Sequence, residues 1–368
     1  MVNFDNFYYF MYRTIQDVTG DKEATCSYLY PHGATTKENI CTFSPLLADT
    51  KNYRFFLYDQ EPLSLANVSL CHLDERRNAY KHKIIFGNSE VGIIKQDILL
   101  HNRHFVDLHY FTHGFAALDW YRANRFFCLK QKTSRYDFLI NCRGINGNRS
   151  YRSYLLAKLN NKSLLDNAVY SASCVENSQH YLDIIKNDHR FSETDLEFVR
   201  KNFQIDHDIT YDNNFTSSAS AIINENIYRK ARFQIVAETC FFEDRVFLTE
   251  KVFQPIATKT PFLLAAGPGS LQYLKSYGFK TYEDILPQQD KGHWRDRLDS
   301  IVNTTEWFCN LYPTEKNIIC DQMEEIAEFN YNHFYGDFFD IIYEELKTNI
   351  KQTVEYCDSL PLACSNNF

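Results

Sequence analysis

No run of about 18 apolar residues occurs in the 368-residue chain, so no bilayer-spanning helix is expected. Low-complexity tracts are missing too. With 44% apolar and 23% charged residues, the composition is that of a globular chain with a sizeable core rather than a disordered one. The first residues, MVNFDNFYYFMYRTIQD, carry acids and amides where a secretory leader would have a basic end and an apolar centre, so a cytoplasmic protein is expected. Paired cysteines are also absent. The count of 11 Cys is odd, and no CxxC or CxxxC spacing occurs. Cys128 in FFCLK and Cys142 in FLINC sit in apolar contexts. The reading is buried reduced thiols, against a disulfide framework or a zinc site. Sequons at Asn67, Asn148, Asn161, Asn214 and Asn303 carry no weight without a secretory route.

An overall basic excess is lacking. The net charge is −8, from 39 Lys/Arg and 47 Asp/Glu, which argues against a general nucleic-acid coat. The distribution is uneven. Residues 1–133 hold 15 basic and 14 acidic residues and 7 of the 12 His, leaving 24 basic and 33 acidic for residues 134–368. The first part is therefore free to meet an anionic partner through local patches.

What is present points to two domains. Short apolar runs at Tyr53–Tyr58 and Lys83–Phe86 predict strands, and Ile93–Leu100 a further strand or short helix. Residues 116–127 predict a helix, and the polar run KQKTSRY after it suggests a boundary near residue 133. DFLIN (137–141) then reads as a strand, CRGINGNRS as a loop and Tyr151–Leu159 as a helix, the opening of a nucleotide-binding α/β domain. The loop lacks a full GxGxxG. Helices are expected at 193–203 and 218–230.

The most informative stretch is 233–279. FQIVAE is a strand, Thr249 is a good N-cap for the helix TEKVFQPIATK, PFLLAA is a buried strand, and GPG turns into the helix SLQYLKSYG. That order favours a parallel sheet with right-handed crossovers. Glu238 falls at a strand's carboxyl end, where open α/β sheets bind ligands. Glu250 and Lys251 fall in the first turn of the next helix, whose free N–H groups attract phosphate. Solvated charges at an ordinary helix cap are the plain alternative. Residues 292–358 read as several helices, the last being Phe338–Tyr356. The domains are therefore 1–133, 134–335 and a helical segment 336–368 that could pack back on the first.

AETC (237–240), EDRVFL (243–248), TEK (249–251) and PFLLAAG (261–267) together resemble the donor-binding motif of the α1,3-fucosyltransferase family. Thr239 stands where that family has Asn, and the loop aromatic precedes Leu248, so fucose is not implied. YDQEPL (58–63), HGFAALDWYR (113–122), RSYR (149–152), LTEKVFQPIA (248–257) and GSLQYLKSYGFKTYEDI (269–285) more closely resemble a group of tailed-phage glycosyltransferases.

The resemblance implies a GT-B α/β fold, two Rossmann-like domains facing across a cleft, with a nucleotide-sugar held by the second. It implies Lys251 as diphosphate ligand, and Glu238, Thr239 and Glu250 as nucleotide or sugar contacts. It also implies Arg149 and Arg152 as phosphate ligands at a helix start. No metal cofactor is expected, because fixed cations would stabilise the leaving group. The DxD at Asp206–Asp208 lies in polar surroundings and reads as a loop. His101, His104 and His109 lack the spacing of a metal site.

An inverting transfer needs a base, for which the first domain offers Asp59, Glu61 and His113, with Asp119 behind them. The resemblance to phage enzymes places a hydroxymethylated cytosine in double-stranded DNA first among acceptors. Arg76, Arg77, Lys81, His82 and Lys83, then Arg122, Arg125, Lys130 and Lys132, would meet phosphates, and Trp120 and Tyr121 would stack a base. A saccharide acceptor is the rival, and a non-catalytic sugar-nucleotide-binding protein the alternative of another class.

Overall fold

A computed structural model describes residues 7–22, 25–29, 40–42, 53–58, 83–92, 105–126, 135–142, 144–145, 147–172, 175–176, 179–204 and 221–359. The chain forms two compact units, Met1–Asp119 with Phe339–Phe368, and Trp120–Phe338. The division thus falls at 119/120 and 338/339, where the sequence had suggested 133/134 and 335/336. The class is the expected one: mixed α/β, with a mainly parallel sheet in each unit.

In the first unit, helix α1 (Phe7–Thr19) precedes a sheet of β1 (Thr25–Leu29), β2 (Ile40–Thr42), β3 (Tyr53–Tyr58), β4 (Lys83–Asn88) and β5 (Phe105–His109). The order is β2-β1-β3-β4-β5, and only the edge strand β2 is antiparallel. Helix α2 (Thr112–Trp120) follows β5. The helix expected at 116–127 therefore starts four residues earlier, and a 3-10 turn at Arg122–Phe126 replaces its end. Its first turn contains Gly114, whose N–H bonds to Phe111 O at 3.1 Å.

The second unit is built on β6 (Tyr136–Cys142), β7 (Ala168–Ala172), β8 (Ala231–Ala237) and β9 (Phe262–Ala265). All four are parallel, in the order β9-β8-β6-β7. Taken in chain order this is 2-1-3-4, so the winding reverses between β6 and β8. The apolar side chains of these segments explain the strands. Phe138, Leu139 and Ile140 of β6 and Phe233 and Ile235 of β8 are fully buried, as befits a sheet covered on both faces. Phe138 stacks on Phe233 at 5.9 Å, and Phe308 meets Phe233 edge-on at 5.2 Å.

Helices α3 (Tyr151–Asn161), α4 (Tyr181–Lys186), α5 (Glu193–Asn202), α6 (Glu250–Ala257) and α7 (Ser270–Ser276) join or flank these strands. Helices α8 (Trp294–Cys309) and α9 (Pro313–Tyr335) follow, then α10 (Phe338–Ser359). Within 218–230 only Glu225–Tyr228 is helical among the described residues. Helix α10 belongs to the first unit. Phe339 and Tyr343 pack on Phe10, Asn349 donates to His109 O at 3.0 Å and Thr353 to Asp107 O at 3.3 Å. Among the described residues six cysteines are free, four of them buried, and burial pushes the Cys142 thiol up to about 12.

Candidate functional site

The strand order reverses between β6 and β8, and the carboxyl ends of strands at such a reversal are the usual ligand position in open α/β sheets. Two segments meet there, residues 144–145 and 147–149 after β6 and residues 238–249 after β8. The second is fixed at both ends by Glu238. This fully buried carboxylate accepts the Thr249 N–H at 3.0 Å, the Thr249 hydroxyl at 2.6 Å and the Thr239 N–H at 3.3 Å. The carboxylate thus closes the loop on itself. Further anchors are the buried Arg245, paired with Glu243, and Arg297, which donates to Gly292 O at 2.6 Å and to Phe241 O. Burial pulls the Arg297 guanidinium below its ordinary value. Gly267 explains the G of PFLLAAG. A Cβ there would run into Arg245 O, so only glycine lets the loop after β9 lie against this one.

Arg152 differs from expectation. The resemblance implied a phosphate ligand. The structure leaves its side chain 1% exposed and directs it to carbonyls: Gly144 O at 2.8 Å, Ala237 O at 2.7 Å and Glu238 O at 3.1 Å. Carbonyls past the strand ends need donors, and a guanidinium fork supplies several at once. Arg152 is a strut between the two loops. Tyr151 assists it, donating to Glu238 O at 2.7 Å and stacking on Phe241 at 4.3 Å. Burial raises its phenol above the ordinary value.

Lys251 stands in the first turn of α6. Helix α6 begins at the N-cap Thr249, whose hydroxyl accepts the Lys251 N–H at 3.4 Å. The Lys251 side chain is 29% exposed, and its Nζ reaches Thr249 Oγ1 at 3.1 Å and Glu250 Oε1 at 3.0 Å. An ammonium has three N–H donors. The third has no partner among the described residues, so it is left to solvent or a ligand. A continuous polar chain therefore runs from Arg152 through Glu238 and Thr249 to Lys251 and Glu250. Thr239 is buried beside it. Arg149 is half-buried on the 3-10 turn Gly147–Arg149 that leads into α3.

Sequence reasoning missed a cluster that braces this turn. Ser150, fully buried, donates to Asp188, and Arg190 grips Asp188 with two bonds of 2.7 and 2.8 Å. Arg190 also donates to Gly147 O at 3.0 Å and lies 3.9 Å over the Phe242 ring. No motif surrounds DHR at 188–190, so nothing in the sequence marked it. Burial works to raise the Asp188 carboxyl, but the Arg190 and Ser150 hydrogen bonds outweigh it and hold it below the ordinary value. The same balance, with Arg295 as partner, lowers Asp195. In both cases the unfolded chain binds protons more readily than the folded one. Their contribution is whole above the unfolded carboxylate value near pH 4 and is lost as pH falls through the folded values. Denaturant midpoints should accordingly fall between about pH 5 and about pH 2. Asp188→Asn should flatten that slope; an unchanged slope would show that the Arg190 pair contributes nothing.

His113 is 2% exposed in the first turn of α2, in the first unit. Asp119, half-buried, ends that unit. Tyr121 is fully buried, so it cannot stack a flipped base; burial and the Glu250 carboxylate both raise its phenol. Asp59, Glu61, Arg76, Arg77, Lys81, His82, His101, His104, Lys130, Lys132 and the Asp206–Asp208 triplet lie outside the described residues. Among the described residues no group of three or more His, Cys, Asp or Glu could hold a metal, and no helix is long and apolar enough to cross a membrane.

No protein-family profile and no curated protein matches the chain. Among solved structures, T4 phage BGT in complex with its UDP-glucose substrate is similar at a TM-score of 0.40 and 12% identity, over 84% of this chain and 76% of that one. So distant a likeness leaves the reading of the site to its own geometry.

Proposed function

We propose that the chain is a nucleotide-sugar-dependent glycosyltransferase whose donor diphosphate docks where the second sheet reverses its strand order. The observation that carries this is Lys251: a half-open ammonium with one N–H to spare, at the start of an α-helix beyond the carboxyl end of β8. In the reaction an acceptor oxygen forms a bond to the anomeric carbon as the bond to the nucleoside diphosphate breaks. Negative charge then grows on the departing phosphate. Lys251 and the first N–H groups of α6 meet that charge without rearranging, and Arg149 is the second cation offered by the neighbouring loop. Glu250 holds the ammonium in place before the donor arrives. Glu238, Thr239 and Arg152 position the loop rather than touch the phosphates.

The acceptor hydroxyl gives its proton to a base, for which Asp59, Glu61 and His113 of the first unit are the candidates in an inverting transfer. Fixed cations make a metal dispensable in this scheme. The first acceptor to test is a hydroxymethylated cytosine in duplex DNA, supported by the near-neutral first 133 residues, and the second is a saccharide.

The experiment is a release assay for nucleoside diphosphate. A panel of nucleotide-sugars is offered with hydroxymethylated duplex DNA or with oligosaccharides, with and without chelator. Release with one donor and one acceptor class, undiminished by chelator, is expected. No release with any pair would leave a sugar-nucleotide binder without turnover, and full loss in chelator would overturn the metal-free scheme.

A further inference from the structure

Helix α8 carries a row of polar side chains on one face. Asp296, Ser300, Asn303 and Trp307 follow at four-, three- and four-residue steps, so they stand one above another. The segment that joins α7 to α8 lies beside this face. The Gln289 N–H bonds to Ser300 Oγ at 2.9 Å, and the Thr304 hydroxyl donates to Pro287 O. Between the two runs lies an open groove of about 640 Å³, lined by Gln289 as well.

Its floor is tied down, yet its upper groups are not. Trp307 is 42% exposed, and its indole has no partner among the described residues. The side chains of Asp296 and Asn303 are exposed and equally unengaged. The sequence singled out Asn303 only as a sequon.

We propose that this groove binds a neutral saccharide. A pyranose ring presents a flat face of C–H bonds and, at its edge, adjacent hydroxyls. Trp307 offers an open aromatic platform with an N–H at its rim, suited to that face. Asn303, Gln289 and Asp296 are planar groups that pair with neighbouring hydroxyls, donating and accepting as needed. The groove disfavours other ligands. Asp296 gives its wall a negative charge with no ion-pair partner among the described residues, which disfavours a polyanion such as nucleic acid, while Asp299 is paired with Lys158 at 2.7 Å. Polar and apolar surface are mixed along the groove, as a sugar with hydroxyl edges and C–H faces requires. The groove shares no residue with the Lys251 site, and the inference does not rest on the donor reading.

The test titrates the full chain with neutral gluco-, galacto- and manno-configured oligosaccharides, followed by calorimetry and tryptophan fluorescence. At least one series should bind at millimolar concentration. Trp307→Ala should weaken it at least about tenfold, Asn303→Ala should weaken it less, and Lys251→Ala should leave it unchanged. Because the Trp307 side chain is 42% exposed and makes no hydrogen bond or ring contact among the described residues, Trp307→Ala should lower the melting temperature by only a few degrees; Trp307→Phe, which keeps a smaller platform, should bind with intermediate affinity. No binding by the parent, equal binding by Trp307→Ala, or binding of cationic peptides alone would overturn the proposal.

Discussion

Replacing Lys251 by alanine should lower the transfer rate by about 10²- to 10³-fold, the usual cost of removing one fixed stabiliser of developing charge. The melting temperature should barely move. Lys251 is partly exposed, and its two contacts, with Thr249 and Glu250, are local to the first turn of α6. An exposed pair of that kind adds little to stability. Lys251→Arg should recover part of the rate, because it keeps the charge but not the compact ammonium that fits beside Thr249 and Glu250. Single-turnover kinetics with saturating donor would read the effect directly. A rate within about twofold of the parent would place the leaving group elsewhere.

The opposite pattern is expected for Arg152→Ala. Here the loss is to the fold. Three hydrogen bonds from a buried cation disappear, and Gly144 O, Ala237 O and Glu238 O lose those donors together. At about 1.5–3 kcal/mol for each bond to a charged group, discounted for non-additivity, roughly 4 kcal/mol should go. For a unit of this size that lowers the melting temperature by about 10 °C. Arg152→Lys should recover little, since one ammonium cannot span carbonyls from two loops. Thermal unfolding by circular dichroism checks both variants. If Arg152→Ala melted with the parent and lost only activity, Arg152 would be a ligand for phosphate after all, as the family resemblance implied.

These contrasting expectations show where sequence alone was informative. The strands β6, β8 and β9 were legible because each is a short, largely apolar segment bounded by loop residues. The N-cap Thr249 was legible because a hydroxyl before a helical stretch has a specific use. The α/β class followed from their alternation. The function of Arg152 was not legible: an Arg at a helix start looks alike whether it faces a ligand or three carbonyls, and only the position of β8 decides. The brace of Ser150, Asp188 and Arg190 was hidden for a related reason. Its members lie about forty residues apart and join only through the tertiary fold. The strand order was likewise unreadable, since nothing local tells β7 to pair with β6 on the side away from β8.

The central claim is that the reversal point of the second sheet receives a diphosphate through Lys251. Titration calorimetry of the parent chain and Lys251→Gln with a panel of nucleoside diphosphates tests it most directly. The account predicts that at least one nucleoside diphosphate binds the parent and that the substitution weakens it about tenfold or more, with the melting temperature preserved. Equal affinity in both proteins, or no binding by the parent to any member of the panel, would contradict it.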